Sequence, residues 1–246
     1  MLGEQLSMQK MLRMILTILS ITILQAQITQ AQSLTGPVGL ATIPTANLPN
    51  DGEIYFSSSF ADKQYNVRIP NRYHQYTYAV TMTYLPFLEV TLRLTRHYDY
   101  PGKQAMGDRM PSVRLRIFKE TSIIPSLVLG AHDFMWAFGG TETIYFNALY
   151  VVASKHINLL KPYTGHVGFH LGYGTDWIKA AHYQFVGLFG GVSVEANRFI
   201  TLMIEYDAEK WNGGLRFSLF NRFHLLIVAL HFDALACGAS YGFNLK

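Results

Sequence analysis

The chain has 246 residues, of which 50% are hydrophobic, 14% aromatic and only 15% charged. That charged fraction is well below the roughly 25% of soluble domains, and mean hydropathy is slightly positive. Beyond the N-terminus, however, no run of about 18 uncharged apolar residues is long enough to span a membrane as a helix. The net charge of +4 is too mild an excess to argue for nucleic acid, and a single cysteine, Cys237, excludes an intrachain disulfide or a thiolate metal cluster.

Residues 1–31 read as a secretory signal. Lys10 and Arg13 form a basic region, Met14–Leu24 an apolar run too short for a stable anchor, and Thr29-Gln30-Ala31 a small-residue site for cleavage before Gln32. Met1, Met8 and Met11 are alternative starts, and no cysteine closely follows the apolar run to carry a lipid. Residues 32–51 are rich in Gly and Pro, and their prolines forbid a central strand. The segment is too apolar for a solvated tail, so it is expected to pack within or against the following domain, with residues 35–48 as an inner plug or docking segment.

The third unit, residues 52–246, reads as an unbroken series of strands of alternating polarity. Twelve are expected, at 52–60, 74–85, 87–96, 110–119, 124–133, 142–154, 163–174, 183–194, 199–207, 211–219, 222–231 and 234–244. Val113, Leu115 and Ile117 oppose Arg114 and Arg116; Val90, Leu92 and Leu94 oppose Glu89, Thr91 and Arg93. Too little polar sequence remains to cover the outside of a soluble sandwich. The pattern instead fits an all-β, antiparallel, up-and-down transmembrane barrel, with lipid outside and a wet interior. Long connections recur at every second position through the first eight strands, although 155–162 is long where a turn is due and 208–210 short where a loop is due. Tyr and Phe crowd the strand ends, as at Tyr73, Tyr84, Phe87, Tyr98, Tyr145, Tyr163, Tyr173, Tyr183 and Tyr206, and suit two interfacial girdles.

Chemistry is sparse. Glu89, Arg93, Arg114, Arg116, Asp133, Glu205, Asp207 and Arg216 fall on polar strand faces or strand ends and are expected to line the lumen. They would either pair to hold a filled lumen together or select a solute or saccharide. His166 and His170 share a strand face but lie about 13 Å apart, too far for one metal ion. A hydrolase would need a serine beside a histidine; Ser126, Ser154 and Ser193 are available, but no motif marks a nucleophile. No cofactor and no catalytic residue is expected.

Four strings carry a family resemblance: Gly39–Ala46 (GLATIPTA), Asp108–Arg116 (DRMPSVRLR), Val128–Phe134 (VLGAHDF) and Tyr206–Gly214 (YDAEKWNGG). Together they resemble the YjbH/GfcD family of outer-membrane proteins over roughly residues 35–244, in a chain much shorter than the large two-part members. The resemblance implies a part in exopolysaccharide or capsule export or surface assembly. It also implies contact with outer-membrane lipid, a polysaccharide, and periplasmic or lipoprotein assembly partners. Two other readings remain open: a structural or assembly barrel with a filled lumen, and a membrane-embedded hydrolase.

Overall fold

The structure, a computed structural model, describes residues 31–65, 73–98, 106–134, 147–160, 165–177, 185–220 and 222–245. Twelve strands follow one another: β1 (Glu53–Ala61), β2 (Gln75–Leu85), β3 (Leu88–His97), β4 (Met106–Phe118), β5 (Ser126–His132), β6 (Ala148–Leu160), β7 (Gly165–Thr175), β8 (Gly187–Asn197), β9 (Ile200–Tyr206), β10 (Trp211–Leu219), β11 (Phe223–Leu230) and β12 (Ala234–Asn244). Each pairs antiparallel with its neighbours in sequence, and β1 pairs with β12, from Glu53↔Asn244 to Ala61↔Ala236, to close the barrel. Closure removes every sheet edge, as lipid requires of a spanning sheet.

Burial alternates with a period of two along the strands. In β2, Thr77, Ala79, Thr81 and Thr83 turn inward while Tyr78, Val80, Met82 and Tyr84 turn outward. Leucines on the outer face stay open to the surroundings, at 61% for Leu92, 59% for Leu171 and 62% for Leu235. A soluble fold would bury side chains of this kind. Here they form the lipid-facing band, and Cys237 is exposed on the same outer face.

Tight connections (86–87, 198–199 and 220–222) fall on one rim, together with the chain ends of the barrel, where Leu245 donates its N–H to Gly52 O at 2.8 Å. The connections after β1, β3, β5 and β7 are longer and lie on the opposite rim; those after β9 and β11 are short. Exposed aromatics mark both rims: Tyr84, Phe87, Phe118 and Phe220 on the tight-turn side, and Tyr98, Tyr173, Trp211 and Phe232 on the other. Tyr145, Tyr163 and Tyr183 lie outside the described residues.

The largest departure from the expected strands is β6, which runs from Ala148 to Leu160 rather than over 142–154. Lys155 and His156 look like turn residues, but they pair with Phe169 and Gly168 and keep the ladder going. Their polar ends find partners at the rim, in Glu120 and the carbonyls of Thr121 and Ser122. The expected long connection at 155–162 thereby shrinks to 161–164, on the tight-turn rim. β4 begins four residues before the expected position, at Met106, and β5 starts at Ser126, just past Pro125.

Residues 31–49 do not join the sheet. They fold back into the lumen and are almost entirely buried, with Ala41, Ile43, Ala46 and Leu48 at 0% exposure. Irregular backbone at this depth must find hydrogen-bond partners. Some are internal: Leu34 N–H to Ala41 O at 2.8 Å, Leu40 N–H to Ile43 O at 3.0 Å, and isolated bridges joining Gln32 to Val38 and Gly39 to Pro44. Gly36 sits at φ 106°, and a Cβ there would come within 2.9 Å of Ala79 Cβ. Gly39 has no room either: its Cβ would stand 2.2 Å from Ile43 O. The remaining partners come from the barrel wall.

Candidate functional site

The lumen site is built around this inner segment, here called the plug. Glu205, inward on β9, accepts backbone N–H groups from Ala41, Thr42 and Ile43 at 2.9, 2.7 and 3.4 Å. It also accepts the Thr42 hydroxyl at 2.5 Å and the Asn212 amide at 3.1 Å. A carboxylate is well matched to this task, because three successive N–H dipoles point at one place and charge-assisted bonds are the strong ones. Arg216, inward on β10, donates to the carbonyls of Gly39 and Leu40, both at 2.8 Å, and more distantly to Gln32 O at 3.4 Å.

Arg114, inward on β4, takes the other side. It donates to the carbonyls of Val38, Thr45 and Asn47, at 2.5, 2.8 and 2.5 Å. Its guanidinium also lies 3.3 Å from the Glu89 carboxylate, with both side chains 1% exposed. A buried charge of either sign is costly alone, so the two compensate one another. Arg93 reaches Thr35 O at 3.5 Å and Met110 Sδ at 3.0 Å. Glu89, Arg93, Arg114, Glu205 and Arg216 thus converge on the plug from β3, β4, β9 and β10.

The other expected lumen residues stand at the rims. Arg116 is half-buried on the tight-turn side and donates to Pro86 O. Asp133, fully buried at the long-loop end of β5, has φ 50° and accepts the Asn147 amide on its backbone carbonyl at 3.0 Å. Asp207, just past β9, accepts the N–H groups of Glu209 and Lys210 at 3.1 and 2.9 Å and the Asn212 amide at 2.9 Å, with His231 Nε2 at 3.6 Å. Burial works against ionisation of Asp207, but the hydrogen bonds from His231, Lys210, Asn212 and Glu209 outweigh it and hold the carboxyl below its usual range. Glu120, in the turn after β4, behaves alike: hydrogen bonds from His156 and Lys155 overcome its burial and depress its pKa.

A polar group that charge patterning did not single out lies beside the plug's exit. Ser154 Oγ takes the Ala46 N–H at 2.7 Å and contacts His170 Nδ1 at 2.8 Å; His170 Nε2 faces Ser193 Oγ at 3.3 Å. Next to it, Asn47 Nδ2 lies 3.4 Å from His156 Nε2, and His156 Nδ1 is 2.7 Å from Glu120. The alternation of β6 and β7 puts Ser154, His156 and His170 on the inward face. Only the corrected position of β6, however, reveals that they share it. The serine–histidine contact has the reach of a nucleophile and base, but the plug covers it, and the neighbouring void holds only about 20 Å3. Among the described residues no three His, Cys, Asp or Glu side chains gather as a metal site.

The chain matches the family model described as "YjbH: Exopolysaccharide biosynthesis protein YbjH" over residues 31–184, a stretch that includes the plug. It is 34% identical over 138 residues to the "Uncharacterized lipoprotein YjbH" of Escherichia coli (strain K12), covering 53% of this chain and 17% of that protein. The chain therefore spans under one fifth of that relative's length. Among solved structures it is similar to the KdgM porin (8% identity, TM-score 0.46, 79% of this chain and 99% of that one). It is likewise similar to the outer membrane protein Omp33 of Acinetobacter baumannii (9%, TM-score 0.42, 78% and 97%). With its closed sheet, apolar outer band and filled lumen, the chain is a barrel protein of the outer-membrane type, and it belongs to the YjbH family.

Proposed function

We propose that this protein assists export or surface assembly of an exopolysaccharide, as a barrel whose lumen is shut at rest by its own N-terminal segment. The observation that carries this reading is the use made of the lumen charges. Glu205, Arg114 and Arg216 spend their hydrogen bonds on plug backbone. The void beside the plug, about 20 Å3, has room for about one water and no sugar ring. The saccharide part of the proposal comes from the family description. In this reading periplasmic or lipoprotein partners approach the tight-turn rim, where Ile123 and Phe220 stand clear of the barrel, while outer-membrane lipid surrounds the band between the rims.

Two measurements test the two halves separately. Removing the gene from its host is expected to lower the amount or length of surface polysaccharide; unchanged polysaccharide would refute the saccharide role. In planar bilayers the full chain is expected to be electrically silent, and the Glu205→Ala, Arg216→Ala double variant to show openings as the plug loosens. Steady conductance from the unaltered protein would refute the resting plug.

A further inference from the structure

The outer face of the barrel carries a groove of about 800 Å3 that crosses β12, β1, β2, β3 and β4. Small outward side chains, the register partners Ser58 and Ala239, form its floor, and Phe56, Tyr78, Leu92 and Tyr241 form its walls. At its long-loop corner stands Arg109, outward on β4 and paired in register with Leu94 of β3. The next outward residue of β3 toward that rim is Arg96, also exposed, which pairs with Tyr76 of β2. Two outward arginines therefore stand on neighbouring strands, offset diagonally across a register shift, near the aromatic cluster of Phe60, Tyr76 and Tyr98, whose ring centroids lie 5.3 Å (Phe60–Tyr76) and 6.0 Å (Tyr76–Tyr98) apart. Among the described residues neither arginine has a carboxylate partner.

A second outer groove, about 600 Å3 across β6 to β10, provides an internal comparison. It is equally apolar, but the lysine at its edge, Lys155, is already held by Glu120 at 3.4 Å and by the carbonyls of Thr121 and Ser122. Its charge is committed to the protein. Among the described residues, the first groove joins an apolar trough to two arginines that no described carboxylate holds.

We infer that the Arg96–Arg109 corner and the adjoining groove bind a phosphorylated, multiply acylated glycolipid of the outer leaflet, phosphate on the arginines and acyl chains along the groove. Long loops of such barrels face outward, so the arginines sit at the headgroup level of the outer leaflet. Arginine suits a phosphate there because its planar fork offers two parallel donors. The inference is independent of any role in polysaccharide production.

The test is native mass spectrometry of the full chain in detergent, titrated with diphosphorylated lipid A. The unaltered protein is expected to retain the lipid, and the Arg96→Ala, Arg109→Ala double variant to bind about 25-fold more weakly, about fivefold for each arginine. Lys155→Ala is expected to bind as the unaltered protein does, and Arg96→Lys, Arg109→Lys to keep part of the affinity while reporting on the same surface in a folded barrel. Heat-modifiable mobility on a gel checks that each variant is folded. Equal binding by the double alanine variant, by dephosphorylated lipid A, or by phosphatidylglycerol would overturn the inference.

Discussion

Thr42 meets Glu205 twice, through its backbone N–H at 2.7 Å and its hydroxyl at 2.5 Å, across 163 residues of sequence. No other plug residue gives two donors to one wall carboxylate among the described residues. Replacing Glu205 with alanine leaves the N–H groups of Ala41, Thr42 and Ile43 inside the lumen without that acceptor. A loss of about 2–4 kcal/mol is expected from urea unfolding in micelles, with Glu205→Gln intermediate because an amide oxygen still accepts. An unchanged midpoint for Glu205→Ala would mean the plug is not held there.

The Arg114–Glu89 pair should be strongly coupled. Arg114→Met strands a buried carboxylate and is expected to cost about 3–5 kcal/mol. Adding Glu89→Gln removes the stranded charge, so the double variant should be more stable than the sum of the two single losses implies. A double-mutant cycle in the same unfolding assay measures this, and strict additivity would show that the 3.3 Å approach contributes no coupling.

Asp207 gives a pH signature. Its carboxyl is depressed in the folded protein, so its contribution to stability is complete above the unfolded value of about 3.9 and is lost as pH falls through the lower folded value. The stability gap between the unaltered protein and Asp207→Asn should therefore be widest above about pH 5 and shrink toward about pH 3. A gap that widens on acidification would have the wrong sign for this account.

Three inward glycines are covered by an aromatic ring from the facing strand: Gly130 by Tyr150, Gly172 by Phe189 and Gly242 by Tyr55. A Cβ at these positions would lie 2.1, 2.2 and 2.3 Å from the ring atoms. The ring covers the bare backbone, as in aromatic rescue of strand glycines. Gly172→Ala is expected to cost about 1–3 kcal/mol by forcing the ring out of its rotamer. Adding Phe189→Leu should recover part of it, as read from paired unfolding midpoints.

The barrel was legible because its signal is periodic: every second residue of β2, β3 and β9 announces its side, and every strand but β6 falls near its expected place. Polarity alone misplaced β6, since Lys155 and His156 are polar for reasons of rim chemistry rather than of turning. The inward packing of residues 35–48 was legible; of the charges expected in the lumen, Glu89, Arg93, Arg114, Glu205 and Arg216 meet the plug or one another there, whereas Arg116, Asp133 and Asp207 stand at the rims. The contacts between charges and plug were not legible, because a pattern along strands carries no information about an irregular segment crossing them. Nothing about Thr42 in sequence marks it as the partner of Glu205.

The plug precedes every strand of the barrel yet ends at the centre of the molecule. It stands before β1, and among the charged wall residues that hold it are Arg114 of β4, Glu205 of β9 and Arg216 of β10. The final seam, β1 against β12, joins residues as far apart as Glu53 and Asn244. The lumen network therefore consists almost wholly of contacts distant in sequence, which are slow to form because loop-closure entropy comes first. Until the barrel surrounds it, the plug's irregular backbone is the part of the protein least able to enter lipid.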